Sequence, residues 1–165
     1  MRILGIDPGS QFTGYGFVDA RGGKTVLVDC GTIRAAGDHS SRLRHIFREI
    51  AVLVAEYQPV EIAIESVFVH RNADSALKLG QARAAALCAT FQEELPIFEY
   101  AARHVKKAIV GSGGADKTQV QHMVKMLLAM KDEPQADAAD ALAVALCHSH
   151  ERNTQALLRA VAVQS

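Results

Sequence analysis

Two short apolar runs in this sequence each end on a single carboxylate. Residues 2–7 (RILGID) are rich in branched side chains and are closed by Pro8-Gly9, and residues 60–65 (VEIAIE) alternate before they stop at Glu65. Short apolar runs bounded by turn residues are typical of strands that lie in a core. The sequence therefore predicts that Asp7 and Glu65 each end a strand.

The remaining pattern predicts a sheet with helices packed on it. Residues 13–19 and 24–33 are expected to form two strands joined at Arg21-Gly22-Gly23, and residues 97–101 a fifth strand. Helices are expected at about 40–57, with Ser40 or Ser41 as the cap, at 73–94, at 117–131, and from Pro134 to 148. Residues 111–116 (GSGGAD) are expected to be a flexible link. This order indicates an α/β fold with a mixed sheet.

The helix predicted at 73–94 contains AAALCATF, two turns that carry no charge. A helix that is apolar all round needs more than one neighbour to cover it, so we expect it to be the central helix. Its apolar area, which includes Gly80, is also larger than one sheet face requires. The surplus residues are Ala76, Leu77, Gly80, Ala84, Leu87 and Cys88.

Length and composition predict one compact domain. The chain has 165 residues, 49% hydrophobic and 22% charged, which fits a domain over residues 1–150 and a tail over 151–165 without an interpretable motif. The sequence has no apolar run of the ~20 residues that a membrane span needs, and we expect a cytoplasmic protein. Cys30, Cys88 and Cys147 are far apart, and all three are expected to be buried and reduced.

Two more carboxylates lie three residues apart on the last predicted helix. Asp137 and Asp140 share one helix face, and alanine occupies positions 136, 138, 139 and 141 around them. Side chains this small allow the helix to approach the sheet closely. The two acids can then reach Asp7 and Glu65, so that four carboxylates converge.

Four converging carboxylates repel one another unless a cation is present or some are protonated. Ligands that offer only oxygen suit Mg²⁺ or Mn²⁺, and a pair of such ions activates water and stabilises the leaving oxygen of a phosphodiester. We therefore expect phosphodiester hydrolysis. Taken singly, Asp7 before Pro-Gly is also a turn former, and an acid early in a helix is also a partner of the helix dipole.

Charge is balanced over the whole chain but not along it. Eighteen Lys and Arg face eighteen Asp and Glu, yet residues 66–131 hold nine Lys and Arg against five Asp and Glu. A local basic surface is sufficient for contact with a nucleic-acid backbone. His148 and His150 lie two apart at a helix end and point in different directions, so they are interpreted as structural and not as metal ligands.

Several long motifs resemble one family. GIDPGSQFTGYG, IAIESVFVHRNADSALKLGQARAAA, FEYAARHVKKAIVG, KTQVQHMV and QADAADALAVALCH are similar to sequences of the bacterial RuvC family of Holliday-junction resolvases, from about Arg2 to His150. The resemblance implies an RNase H-like fold, with a mixed five-stranded sheet and helices on both faces, in a homodimer. It also implies Mg²⁺-dependent symmetric nicking of four-way DNA junctions that leaves 5′-phosphate and 3′-hydroxyl ends, together with RuvA and RuvB as partners.

The resemblance also implies roles for individual residues. The catalytic, metal-binding acids fall on Asp7, Glu65, Asp137 and Asp140, of which Asp140 is the least constrained because some members have His there. Many members have Gln where this chain has Ser66. Phe68 is implied to stack on an unpaired base beside a DNA-contacting Arg71. Lys106 and Lys117 are implied to contact the backbone near the cut phosphate, whereas Lys107 is left as a solvated side chain.

Two other functions remain possible from the sequence. The start GIDPGSQFTGYG is also similar to ATP-binding domains of the sugar-kinase and actin type, but that architecture needs two such domains and this chain has one copy. A junction-binding module without catalysis would share the basic segment and Phe68. It would have no need for four converging acids.

Overall fold

The fold is built on one mixed sheet of five strands. The structure is a computed structural model, and it describes residues 1–66 and 72–163. The strands lie in the order β3-β2-β1-β4-β5; β1 is antiparallel to β2 and parallel to β4. Their bounds are β1 Arg2–Asp7, β2 Phe12–Arg21, β3 Lys24–Arg34, β4 Glu61–Ser66 and β5 Ile97–Ala101. All five strands occur where the sequence predicts them.

Helices cover both faces of this sheet. Alternate residues of each strand point to opposite faces, so Ile3, Val18 and Ala63 pack with one set of helices while Leu4, Phe17 and Ile62 pack with the other. The helices α3 Ala102–Val110, α4 Lys117–Leu127 and α5 Ala136–Val163 lie on the first face, and α1 His39–Tyr57 and α2 Ala73–Cys88 lie on the second. The α/β fold with helices on both faces is confirmed.

The hairpin between β2 and β3 turns through two glycines. Arg21 pairs with Lys24, and Gly22 and Gly23 between them have φ angles of 55° and 80°. Two consecutive residues with positive φ form the tight turn whose twist matches that of antiparallel strands, and glycine adopts it without a steric penalty. The predicted turn at Arg21-Gly22-Gly23 is confirmed.

Helix α5 contacts the sheet through strand glycines. A Cβ atom at Gly5 would lie 2.1 Å from the carbonyl oxygen of Ala141, one at Gly14 would lie 1.9 Å from that of Asp137, and one at Gly16 would lie 2.6 Å from the Leu142 side chain. A glycine inside a strand marks such a close approach of another backbone. The helix therefore lies across β1 and β2 at a separation that no other residue type at these positions allows.

Three helix predictions are wrong in detail. The N-cap of α1 is Asp38, whose side chain accepts a hydrogen bond from the Ser41 amide, and not Ser40 or Ser41. Helix α2 ends at Cys88 and is followed by a short 3-10 helix, Phe91–Glu93. The central helix is α5, because residues 141–149 are all buried, whereas α2 buries only Ala82, Ala86 and Leu87.

Other elements differ from the expectation in extent. The basic segment after β5 is helix α3, which the sequence did not predict, and α4 ends at Leu127. Helix α5 begins at Ala136 and continues to Val163, well beyond residue 148. Of the three free cysteines, Cys147 is buried, Cys30 is half-buried and Cys88 is exposed, so the expectation that all three are buried is wrong. Within residues 1–66 and 72–163, none of the helices is long and apolar enough to span a bilayer.

A methyl group at Gly14 should destabilise the protein. Gly14→Ala forces the first turn of α5 away from β2, and overpacking of this kind costs about 1–3 kcal/mol. Thermal unfolding should show a lower Tm than for the wild type. Gly114→Ala is the matched control, because its nearest new contact would be the Ser112 Oγ at 3.9 Å. A Gly14→Ala protein as stable as the control would contradict the close contact.

Candidate metal and nucleic-acid site

The first two acids lie side by side at one edge of the sheet. β1 and β4 run parallel, with Ile6 paired to Ile64, so the next residues, Asp7 and Glu65, are neighbours. The parity of the strands turns both side chains toward the α5 face, as it does for Ile3 and Ala63. Two carboxylates from different strands therefore meet at the C-terminal ends of β1 and β4.

The turn after Asp7 is closed by a buried threonine. The Thr13 hydroxyl donates a hydrogen bond to the Gly9 carbonyl oxygen at 2.8 Å and accepts one from the Gly9 amide at 3.4 Å. Thr13 has no solvent exposure, so these bonds satisfy its hydroxyl inside the protein. The loop that carries the chain away from Asp7 is thereby held against the start of β2.

The other two acids are delivered by the first turn of α5. The backbone of Asp137 lies on Gly14, and Gly14 is the β2 residue that pairs with Asp7. Asp140 follows one helical turn later on the same face. The close helix contact therefore brings the acid pair to the strand ends, as the spacing of the acids and alanines predicts.

Burial and repulsion between charges raise the pKa of three of these carboxyl groups, Asp7, Glu65 and Asp140. The pKa of Asp7 is raised to about 8, first by burial and then by the charges of Glu65, Asp140 and Asp137, in that order of size. Burial likewise raises the pKa of Glu65, with Asp140 as the next cause. Burial also raises the pKa of Asp140, against the opposing effect of Lys117. The site favours bound positive charge, because its acids ionise only at an energetic cost.

Two lysines supply part of that positive charge. Lys117 Nζ lies 3.4 Å from Asp140 Oδ2, and the charge of Asp140 raises the pKa of Lys117. Lys106, half-buried on α3, lowers the pKa of both Glu65 and Asp140. Both lysines therefore face the acids, whereas Lys107 is exposed and lines a separate cavity with His104.

A capping box fixes the position of Lys117. The Asp116 side chain accepts from the Gln119 amide at 2.8 Å, and the Gln119 side chain accepts from the Asp116 amide at 2.9 Å. This reciprocal pair begins α4 immediately before Lys117. The sequence D-K-T-Q carries the signal for it, which the interpretation of residues 111–116 as a flexible link overlooked.

Six of the predicted residues are thus brought together, and two lie outside the described part of the chain. The acids Asp7, Glu65, Asp137 and Asp140 interact electrostatically with one another and with Lys106 and Lys117. The four side chains offer only carboxylate oxygens, a donor set that fits hard divalent cations such as Mg²⁺. Phe68 and Arg71 belong to residues 67–71, outside the described residues.

Behind the site, a buried polar network joins α5 to the sheet. The His148 ring accepts at Nδ1 from the Tyr100 hydroxyl and donates from Nε2 to Glu61, both at 2.7 Å, if Nε2 carries the ring proton. Arg152 pairs with the second Glu61 oxygen at 2.9 Å. Both nitrogens of His148 are occupied, so this histidine is structural, as expected from its position in the sequence.

Comparison with known proteins gives the family. A model of the family described as crossover junction endodeoxyribonuclease RuvC matches residues 3–148. The chain belongs to the RuvC family. A member from Methylococcus capsulatus is 58% identical over 154 residues, covering 93% of this chain and 93% of its own length. One from Marinobacter nauticus is 56% identical over 149 residues, covering 90% of this chain and 85% of its own.

The structural comparison agrees with this assignment. The structure described as Thermus thermophilus RuvC in complex with a Holliday junction substrate superimposes with a TM-score of 0.87 and 31% identity. The match covers 94% of this chain and 96% of that one. The RNase H-like fold of the RuvC family is therefore shared along nearly the whole chain.

Removing the half-buried acid Asp7 should stabilise the metal-free protein. Because the folded pKa of Asp7 lies above its unfolded value, the native state binds more protons, and stability falls as the pH rises from about 4 to about 8. With a chelator at pH 8, Asp7→Asn should raise the free energy of unfolding by roughly 1–3 kcal/mol. Each kcal/mol corresponds to a rise of about 2–4 °C in Tm. The gain should shrink at pH 5.

The exposed Asp132 provides the control. Asp132→Asn should leave the Tm unchanged at both pH values. Saturating Mg²⁺ should raise the Tm of the wild type and leave that of Asp7→Asn nearly unchanged. If Asp7→Asn is less stable than the wild type in chelator at pH 8, the acids do not repel one another as described.

Proposed function

We propose that this chain resolves four-way DNA junctions by hydrolysing phosphodiester bonds symmetrically with divalent metal ions held by Asp7, Glu65, Asp137 and Asp140. The observation that carries the proposal is the convergence of these four carboxylates from β1, β4 and α5, with the pKa of Asp7 raised to about 8. The family and the Thermus thermophilus complex with a Holliday junction substrate supply the substrate class.

Mg²⁺ is the proposed ion, with Mn²⁺ as a substitute, and two ions per site are proposed because the hydrolysis has both an attacking and a leaving oxygen to stabilise. Such ions activate a water and stabilise the leaving oxygen of the phosphodiester. The carboxylates would hold the ions at the strand ends, where the buried core behind them limits their movement. The products proposed are 5′-phosphate and 3′-hydroxyl ends.

The acids and metals can be tested by nicking assays on a four-way junction. Asp7→Asn, Glu65→Gln, Asp137→Asn and Asp140→Asn should each reduce cleavage at least about a hundredfold while leaving junction binding in gel shifts. Mg²⁺ or Mn²⁺ should support cutting, whereas Ca²⁺, with longer and looser bonds, should support binding with little turnover. A fully active Asp7→Asn variant, or cleavage undiminished in excess chelator, would refute the proposal.

Lys106 and Lys117 are proposed to act on the phosphate. Lys117 is an exposed side chain that reaches Asp140, and once cations neutralise that acid its ammonium is available to an incoming phosphate oxygen. A positive charge there stabilises the charge that develops in the transition state.

Phe68 is proposed to stack on an unpaired base and Arg71 to contact the DNA backbone, by family membership. The stacking of Phe68 is tested by comparing the chemical reactivity of the bases at the junction centre between the wild type and Phe68→Ala.

The lysine proposal has a control on the neighbouring helix α3. Lys117→Ala should lower the single-turnover cleavage rate at least about tenfold and reduce the slope of log binding constant against log salt by about one. Lys107→Ala removes an exposed charge that does not face the acids, and its cleavage rate should stay near the wild-type value. Equal cleavage rates for Lys117→Ala and Lys107→Ala would show that Lys117 is a solvated side chain without a role in cleavage.

A homodimer is proposed because a junction presents two equivalent strands to cut. Among the residues expected to form the surplus apolar area of α2, Leu87 is buried in the chain's own core and Ala76 is half-buried. Leu77, Gly80, Ala84 and Cys88 remain exposed on one helix face, with Leu77 68% exposed and open space around Gly80. This face suits contact with a second copy.

RuvA and RuvB are proposed as partners and the cytoplasm as the location.

The dimer proposal is tested by mass in solution. Sedimentation equilibrium should give about twice the 17.8 kDa of one chain, and Gly80→Glu should lower it by placing a charge on the exposed α2 face. Met126→Glu changes an exposed apolar residue of α4, on the other side of the sheet, and should leave the mass unchanged. A monomer that makes both cuts in one binding event would exclude the dimer.

A further inference from the structure

A cavity of about 640 Å³ lies between α3 and the middle of α5, apart from the acid site. From α3 it is lined by His104, Lys107 and Ala108, and from α5 by Cys147, His150 and Glu151. Each set follows helical spacing of three and four residues, so each is one helix face. None of these residues belongs to the six that meet at the strand ends. Cys147 lies two helical turns, about 10 Å, beyond Asp140 along α5.

Three side chains of this cavity carry metal-binding atoms that converge. A ring nitrogen of His104, the Cys147 sulfur and a carboxylate oxygen of Glu151 all lie within 4.8 Å of one another. In a tetrahedral site with bonds of about 2.0–2.3 Å, ligand atoms are about 3.3–3.8 Å apart. The side chains of His104 and Glu151 are 52% and 37% exposed, so they are free to make this small adjustment.

The neighbouring residues position the three donors. Cys147 and Glu151 are one turn apart on the same helix, and the His104 ring stacks on Tyr100 with 5.9 Å between the ring centres. Tyr100 is itself fixed by the hydrogen bond from its hydroxyl to His148. Partners of this kind that orient the ligands raise metal affinity. The exposed Lys107 can keep its ammonium in solvent.

We propose that His104, Cys147 and Glu151 form a second metal site for a transition-metal ion of the zinc class, with one coordination position open to the cavity. Imidazole, thiolate and carboxylate ligands select such an ion over Mg²⁺, which prefers oxygen alone. Binding replaces the hydrogen bond between His104 Nε2 and Glu151 Oε1. The thiol proton is released to solvent, and the ring proton resides on Nδ1 once Nε2 binds the ion.

The site would join α3 to α5 two residues before Lys106. A bound ion cross-links the two helices and so restrains the element that carries this lysine. Because the ion binds only the folded arrangement of the three ligands, it adds stability according to its concentration and affinity. Metal binding at this site does not depend on junction cleavage.

Cobalt provides a direct spectroscopic test. The full-length protein, treated with chelator and then held in saturating Mg²⁺ to occupy the acid site, is titrated with Co²⁺. Cobalt bound by a thiolate gives a near-ultraviolet charge-transfer band, which the carboxylates of the acid site do not produce. One equivalent of Co²⁺ should saturate the band, and Zn²⁺ should remove it.

Matched variants decide which sulfur is involved. Cys147→Ala should abolish the band, and His104→Gln, an exposed change that leaves the core intact, should weaken Co²⁺ binding at least about tenfold. Cys88→Ser, at the exposed thiol on α2, should retain the band in full. Under the same Mg²⁺, Zn²⁺ should raise the Tm of the wild type more than that of His104→Gln. A wild-type protein without the band, or a band that survives in Cys147→Ala, would overturn the proposal.

Discussion

The direct contact of the α5 backbone with strand glycines is the constraint on which this structure depends. A Cβ atom at Gly14 would clash with the carbonyl group of Asp137. The helix therefore reaches its position only because the residues of β1 and β2 beneath it are glycines. The short distance between α5 and the sheet determines the position of the first turn of α5. Asp137 and Asp140 meet Asp7 and Glu65 because the helix is this close to the sheet.

The acid site and the core oppose each other energetically. Asp7, Glu65 and Asp140 resist ionisation where they lie, because burial raises the pKa of each. Residues 141–149 of the same helix are all buried, and this burial stabilises the helix against the repulsion at its first turn. The network of His148, Tyr100 and Glu61 adds directional bonds between α5 and the sheet at a distance from the acids.

The sequence predicts the strands and the acid cluster well because these depend on local pattern. Strand alternation, turn glycines and the spacing of Asp137 and Asp140 are all visible within a few residues. Helix α3 was missed because it begins directly after β5 with no side-chain cap at Ala101. The cap of α1 was misplaced because three cap-forming residues surround His39, and the bonds of His148 were invisible because its partners lie 48 and 87 residues away.

The placement of the acid pair on the central helix also ties activity to the cooperativity of folding. In many proteins, ligand sites lie on segments that open locally at little free-energy cost. Here the helix that carries Asp137 and Asp140 is the one most enclosed by the sheet and by α3 and α4. Local opening of that helix would expose the core, so the amide hydrogens of residues 141–149 should exchange only through global unfolding, while those of the exposed turns after Arg152 exchange through local fraying.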